Sequence, residues 1–95
     1  MIFQLQGAEF EWDEEKYAAN LRKHGVKFEI AAEVFFDPFY QIGDASVEEQ
    51  GREYIIGYSF SEKLFLVVFV ERRERTRIIS ARQATPAERK LYEES

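Results

Sequence analysis

The stretch LFLVVFVERRERTRIISAR, residues 64–82, decides the fold. Its first seven residues are uninterruptedly apolar, too few for a helix of ordinary length and far too few to cross a membrane. Rich in Val and Phe, they read as a central strand buried on both faces. Arg73, Glu74 and Arg75 follow between two β-prone runs and predict the tip of an antiparallel hairpin, with residues 76–81 as the returning strand. The same stretch concentrates cations: Arg72, Arg73, Arg75, Arg77 and Arg82 lie within a few residues of the most hydrophobic segment of the chain. Guanidinium groups on a rigid strand can meet a carboxylate or a phosphate through two parallel hydrogen bonds, which makes this hairpin the first functional lead.

Outward from the hairpin, residues 52–60 carry Tyr54, Ile55, Ile56, Tyr58 and Phe60 and predict a strand that turns through residues 61–63 into the central one. Residues 39–42 are short and β-prone, and residues 43–51, GDASVEEQG, read as a loop with no packing face. Upstream, residues 29–36 place Ile30, Ala31, Val34 and Phe35 on one helical stripe that stops at Asp37-Pro38. A longer helix precedes it: Asp13 as N-cap, Glu14 and Glu15 in the first turn, Tyr17 and Leu21 facing inward, and Gly25 as the left-handed residue ending it after His24. Before that helix, residues 8–12 predict a short strand, with residues 1–7 either its extension or a tail. Thr85, Pro86 and Glu88 form a helix start of N-cap, first-turn proline and capping box, with Leu91 and Tyr92 expected inward. The expected class is α+β: two N-terminal helices packed on a small antiparallel sheet of about four to five strands, with a short C-terminal helix.

At 95 residues the chain reads as a single domain, residues 1–95, with nine Phe, five Tyr and one Trp to fill its core. There is no cysteine, hence no disulfide framework, and the N-terminus lacks the basic start and apolar run of a signal peptide. A cytoplasmic protein is expected, without membrane association. His24 is the sole histidine, no acidic cluster has ligand spacing and no Gly-rich phosphate loop occurs, so neither metal nor cofactor is expected. The net charge of −5 opposes nucleic acid at first sight, but its distribution is uneven. Residues 1–50 hold 4 basic and 11 acidic side chains, whereas residues 71–90 hold 7 basic and 3 acidic.

Three blocks, FEWDEEKYAANLRKHGVKFEIAAEVFFDP, RTRIISARQAT and ERKLYEE, together resemble the BrnT family of type II toxins, which are similar in fold to RelE and ParE. The most specific matches are Asn20, Lys23, His24 and Gly25, then Glu71, then residues 77–82. The resemblance implies a ribonuclease that inhibits translation, neutralised by a BrnA-type antitoxin with a ribbon-helix-helix region. It also implies a hetero-oligomer that meets operator DNA only through the antitoxin. Lys27 departs from the pattern, standing where the family usually carries Ser or a similar cap.

The expected chemistry is metal-independent RNA cleavage, in which a 2′-hydroxyl attacks its own phosphate. It needs a base, an acid and cations aimed at the charge developing on the phosphoryl oxygens. Arg77 and Arg82 are candidates for the scissile phosphate, Lys23 for charge stabilisation or proton donation, and His24 or Glu71 for acid–base work. Arg22, Arg72, Arg73 and Arg75 are candidate RNA contacts. Strict alternation points Arg77 and Arg82 to opposite faces, so a bulge or strand end near Ser80-Ala81 is required if both serve one site. Ordinary alternatives stand beside these roles: cations capping a helix end for Lys23 and His24, and an ion pair with Glu88 for Arg82. Two other activities remain compatible with such a sequence. One is a RelE-like binding module acting in antitoxin binding and operon autoregulation, and the other a ParE-like action on a protein target such as gyrase.

The central-strand assignment is directly testable. Val68→Asp places an unpaired charge in a strand covered on both sides, at a cost of several kcal/mol against a total stability of about 5–15 kcal/mol. The variant is expected to lose its cooperative thermal transition, and a melt close to wild type contradicts the assignment.

Overall fold

Seven apolar residues in a row can be buried only if both faces of their strand are covered, and the fold is the solution to that requirement. A computed structural model describes residues 2–45 and 51–94. Six strands, β1 (Ile2–Leu5), β2 (Ala8–Glu11), β3 (Gln41–Asp44), β4 (Glu53–Tyr58), β5 (Leu64–Arg72) and β6 (Arg75–Gln83), form one sheet in the order β1-β2-β6-β5-β4-β3. β5 and β6 are its centre. On one face, Phe65, Val67 and Phe69 join Ile55, Ile78 and Ala81 under the helices α1 (Glu14–His24) and α2 (Phe28–Ala31) and the 3-10 helix Ala32–Phe36. On the other, Leu64, Leu66 and half-buried Val68 pack with Ile56, Tyr54 and Tyr58 beneath α3 (Pro86–Glu93). No helix among the described residues is long and apolar enough to cross a membrane.

The class is α+β as expected, but three details differ. The sheet has six strands rather than four to five and is mixed, because β2 runs parallel to β6 through Phe10↔Thr76 and Glu11↔Arg77. The extra strand is β1, joined to β2 by the two-residue turn Gln6-Gly7, both at positive φ. The second helix splits. Lys27 occupies its N-cap without a side-chain hydrogen bond, a four-residue α-helical turn follows, and the chain tightens into the 3-10 helix before Asp37. This segment packs so closely on β4 that a Cβ at Gly57 would lie 2.9 Å from the Val34 carbonyl oxygen, a contact only glycine permits. Gly43 and Asp44, expected in a loop, extend β3, with the Tyr54 ring lying over Gly43. Of the rest of that loop, residues 46–50 lie outside the described residues.

Helix α1 starts and stops where its sequence dictates. The Asp13 carboxylate accepts the Lys16 N–H, and Gly25 ends the helix at φ 69°. Its inward face is less conventional than expected. Tyr17 stacks on Phe28 with Trp12 edge-on to both, but Leu21 is 40% exposed and the fully inserted residue is Asn20. The pairing of β2 with β6 ends at Arg77, and beyond it the same edge of β6 would carry unsatisfied backbone groups. Asn20 completes that edge. Its amide nitrogen donates to the Ala81 carbonyl at 2.9 Å and to the Val26 carbonyl at 3.2 Å, while its carbonyl oxygen accepts the Ala81 N–H at 3.0 Å.

Asn20→Ala leaves the buried N–H and C=O of Ala81 without partners, and each such loss costs about 1–3 kcal/mol. Urea unfolding is expected to show a stability loss of about 2–5 kcal/mol. Leu21→Ala is the contrasting control, with a much smaller loss because the side chain is already half in solvent.

Candidate functional site

Arg72 pairs with Arg75 at the end of the β5–β6 hairpin, and Arg73 takes a left-handed φ of 59° in the turn between them. Beside this tip lies an open cleft of about 680 Å³ lined by Glu9, Glu11, Arg72, Arg73, Glu74 and Arg75. The acidic wall comes from β2, whose parallel pairing with β6 sets Glu9 and Glu11 against the arginines. Arg75 Nε donates to Glu9 at 2.9 Å and its guanidinium lies 3.6 Å from Glu11, while Arg77 donates to Glu11 at 3.0 Å. The Arg75 hydrogen bond, assisted by Gln4, holds the Glu9 carboxyl below its ordinary range, and Glu9 in turn raises Arg75. Arg72 and Arg73 are exposed and have no ion-pair partner among the described residues.

The required bulge exists, slightly earlier than expected. Val68 pairs with Ser80 and Phe69 with Ile78, so Ile79 is the extra residue of β6. Ile78 and Ala81 therefore both face the helices, and Arg77 and Arg82 share the opposite face. They still serve different places. Arg82 makes a two-point ion pair with Glu88 of α3 at 2.7 and 2.8 Å, four residues further along the sheet once the bulge is discounted, roughly 13 Å from Arg77. The pair raises Arg82 and lowers Glu88. Glu88 also completes the capping box with Thr85, so one carboxylate starts α3 and ties it down.

Arg22, Lys23 and His24 form the exposed last turn of α1. For Lys23 and His24 to serve one site with Arg77, as their candidate roles require, this turn would have to reach the edge bearing Arg77, and the Asn20 anchor prevents that. That anchor sets the helix end beside Ala81, on the helical face, where His24 shares a cleft with Phe65 and Gln83. Gln83 is six residues from Arg77 along β6, roughly 15–20 Å, and Arg77 faces the other way. Glu71 is separate again: on the helical face at the hairpin end, its carboxylate accepts the Thr76 hydroxyl at 3.0 Å. Of the nine residues nominated from sequence, Arg72, Arg73, Arg75 and Arg77 come together. Their neighbours Glu9 and Glu11 were missed. The alternating run Glu9-Phe10-Glu11 was the available signal, but nothing local tells which strand it will lie beside. Among the described residues, no group of three His, Cys, Asp or Glu could hold a metal ion.

A second polar centre fixes α3 from the far side. Burial alone would raise the Asp37 carboxyl, but hydrogen bonds from the Tyr92 hydroxyl at 2.7 Å and from the backbone N–H groups of Tyr58 and Phe39 outweigh it and hold it low. Tyr92 itself is raised by burial and by Asp37. Tyr92, half-buried, meets Tyr58 edge-on, while Leu91, expected inward, is 54% exposed.

Comparison with known proteins adds two findings. The family profile described as the ribonuclease toxin BrnT of type II toxin–antitoxin systems matches residues 12–88. Among solved structures, the fold is similar to that of the Brucella abortus ribonuclease toxin BrnT, with a TM-score of 0.65 and 23% identity over 80% of this chain and 95% of that one. No curated protein matches the chain.

The two anchored carboxylates make stability pH-dependent. Asp37 and Glu88 are both depressed in the folded state, so their contribution is present above their ordinary values of 3.8 and 4.5 and is lost as pH falls through the lowered folded values. Melting temperature is expected to fall steeply on acidification below about pH 4.5, the ordinary glutamate value. Glu88→Gln is expected to flatten that slope and to lower the melting temperature at neutral pH.

Proposed function

Because the chain belongs to the BrnT family of ribonuclease toxins of type II toxin–antitoxin systems, we propose that it cleaves RNA without a metal ion at the cleft between the hairpin arginines and β2. The observation that carries this reading is the pair of guanidinium groups held at fixed spacing around one carboxylate, Arg75 and Arg77 about Glu11. In the proposed reaction the Glu11 carboxylate takes the proton of a 2′-hydroxyl, whose oxygen attacks the adjacent phosphorus. The bond to the 5′-oxygen breaks, that oxygen leaves with a proton from water, and a 2′,3′-cyclic phosphate remains. Arg75 and Arg77 meet the charge that develops on the phosphoryl oxygens. Arg72 and Arg73, unpaired at the tip, follow the RNA backbone on either side. Loss of messenger RNA then inhibits translation in the cytoplasm, and a BrnA-type antitoxin restrains the activity in a hetero-oligomer.

In this reading Lys23, His24, Glu71 and Arg82 lie outside the reacting centre. Arg82 is a structural partner of α3, and Glu71 steadies the hairpin through Thr76. A second reading has one specific observation in its favour: Arg75, Arg77 and Arg82 already hold carboxylates of the same chain, so a phosphate must displace or share them. On that reading the chain is a binding module acting with its antitoxin on its own operon.

Cleavage of a labelled single-stranded RNA separates the two. Arg77→Ala and Glu11→Gln are each expected to lower the rate by about 10²-fold, the usual contribution of an electrostatic stabiliser or a general base, with the thermal transition retained. His24→Ala is expected to leave the rate unchanged. Folded Arg77 and Glu11 variants that cleave like wild type favour the binding module, and a 10²-fold loss in His24→Ala moves the centre to the end of α1.

A further inference from the structure

The end of α1 holds a second cleft, remote from the arginines and unused by the proposed reaction. It measures about 380 Å³, with Val26, Ile30 and Phe65 as an apolar floor and His24, Lys27 and Lys63 at its margin. All three marginal side chains are exposed, and none has a carboxylate partner among the described residues. Arg22 and Lys23 stand with His24 in the last turn of α1. On the other face Arg75, Arg77 and Arg82 are each matched by a carboxylate of their own chain, and Arg72 and Arg73, unmatched among the described residues, stand at the hairpin tip with no apolar floor beside them in the cleft they line. An acidic protein of net charge −5 that leaves Lys27 and Lys63 unmatched around one concave surface with an apolar floor presents a local complement to an acidic ligand.

From this geometry we infer that the α1-end cleft is a docking site for an acidic peptide segment, an apolar side chain seated on the floor between carboxylates that meet Lys27 and Lys63. This rests on the reading of the chain as a toxin with a protein antitoxin, and it assigns that antitoxin a contact away from the reacting centre. The lining favours peptide over nucleic acid. Its floor is aliphatic apart from Phe65, whose ring is buried and offers no platform on which a base could stack. Its volume suits one or two side chains, such as a leucine with a neighbouring glutamate. Lysine, a compact point charge on a flexible stem, suits a carboxylate of variable position and lacks the planar fork that reads phosphate in two points. The attraction acts locally, within the roughly 8 Å screening length of physiological salt, so the protein's overall negative charge does not cancel it.

The test uses a synthetic peptide of alternating Glu and Leu residues, with a single-stranded oligouridylate as the nucleic-acid probe. Binding of each to the intact chain is measured by fluorescence anisotropy, and RNA cleavage is followed in parallel. The peptide is expected to bind wild type with an affinity that weakens as salt rises, and Lys27→Glu/Lys63→Glu is expected to weaken it at least 10-fold. Lys27→Arg/Lys63→Arg is expected to bind like wild type, and Arg72→Glu/Arg73→Glu to leave peptide binding unchanged. Cleavage by the lysine variants is expected to match wild type. The inference is overturned if the peptide does not bind wild type, if the double glutamate variant binds it equally well, or if only the hairpin variant loses it. It is equally overturned if oligouridylate rather than peptide depends on Lys27 and Lys63. Absence of RNA cleavage by wild type with peptide binding intact counts against the ribonuclease reading alone.

Discussion

One side chain amide substitutes for a missing stretch of strand. β2 reaches only as far as Arg77 along β6, and Asn20 takes over the edge beyond it by pairing with both backbone groups of Ala81. The N–H and C=O of one residue point to the same edge of a strand, so a carboxamide can meet both at once, as a neighbouring strand would. A carboxylate has no donor, a hydroxyl carries both functions on one atom and cannot span the two groups, and an apolar residue would leave both buried and unpaired. Because the same amide also binds the Val26 carbonyl, it sets the turn between α1 and α2 as well as the position of α1 on the sheet. The separation of His24 from Arg77 follows from this anchor.

The arginines follow a second rule, local compensation. A sheet face carrying Arg75, Arg77 and Arg82 would repel itself, and each is met by a carboxylate from one of two neighbouring elements: Glu9 and Glu11 from β2, Glu88 from α3. For Arg75 and Arg77 the main effect is geometric: their carboxylate partners hold the guanidinium groups at fixed spacing on a rigid strand. The bulge at Ile79 matters for the same reason. By resetting alternation once, it lets Ile78 and Ala81 stay in the core while Arg77 and Arg82 both reach the other face.

Helix α3 has no buried residue and is held by polar contacts at both ends, Glu88 on Arg82 and Tyr92 on Asp37, with Arg89 on the Tyr58 hydroxyl between them. Asp37 therefore does more than end the 3-10 helix before Pro38. Its carboxylate joins the backbone of Phe39, the backbone of β4 at Tyr58 and the side chain of α3.

What residues 64–82 determined by themselves was the hairpin, its place at the centre of the sheet and the cluster of arginines at its tip, because a continuous apolar run and a charged turn are local patterns. The caps of α1 and α3 were equally legible in Asp13, Gly25, Thr85 and Glu88, each of which acts on backbone groups within a few residues. Membership in the family was legible in three separated blocks. What only the tertiary structure decided were partners distant in the chain: β2 lying parallel to β6, Glu9 and Glu11 beside Arg75 and Arg77, and Asn20 against Ala81, 61 residues apart. Periodicity reports which face a residue presents, and it carries no information on which strand will lie beside it. Asn20 was quoted only as a matching residue, since a buried polar side chain has no signature until the backbone groups it satisfies are in place. The same limit misplaced His24, whose local setting as a helix end was correct but whose neighbours were set by a contact four residues before it.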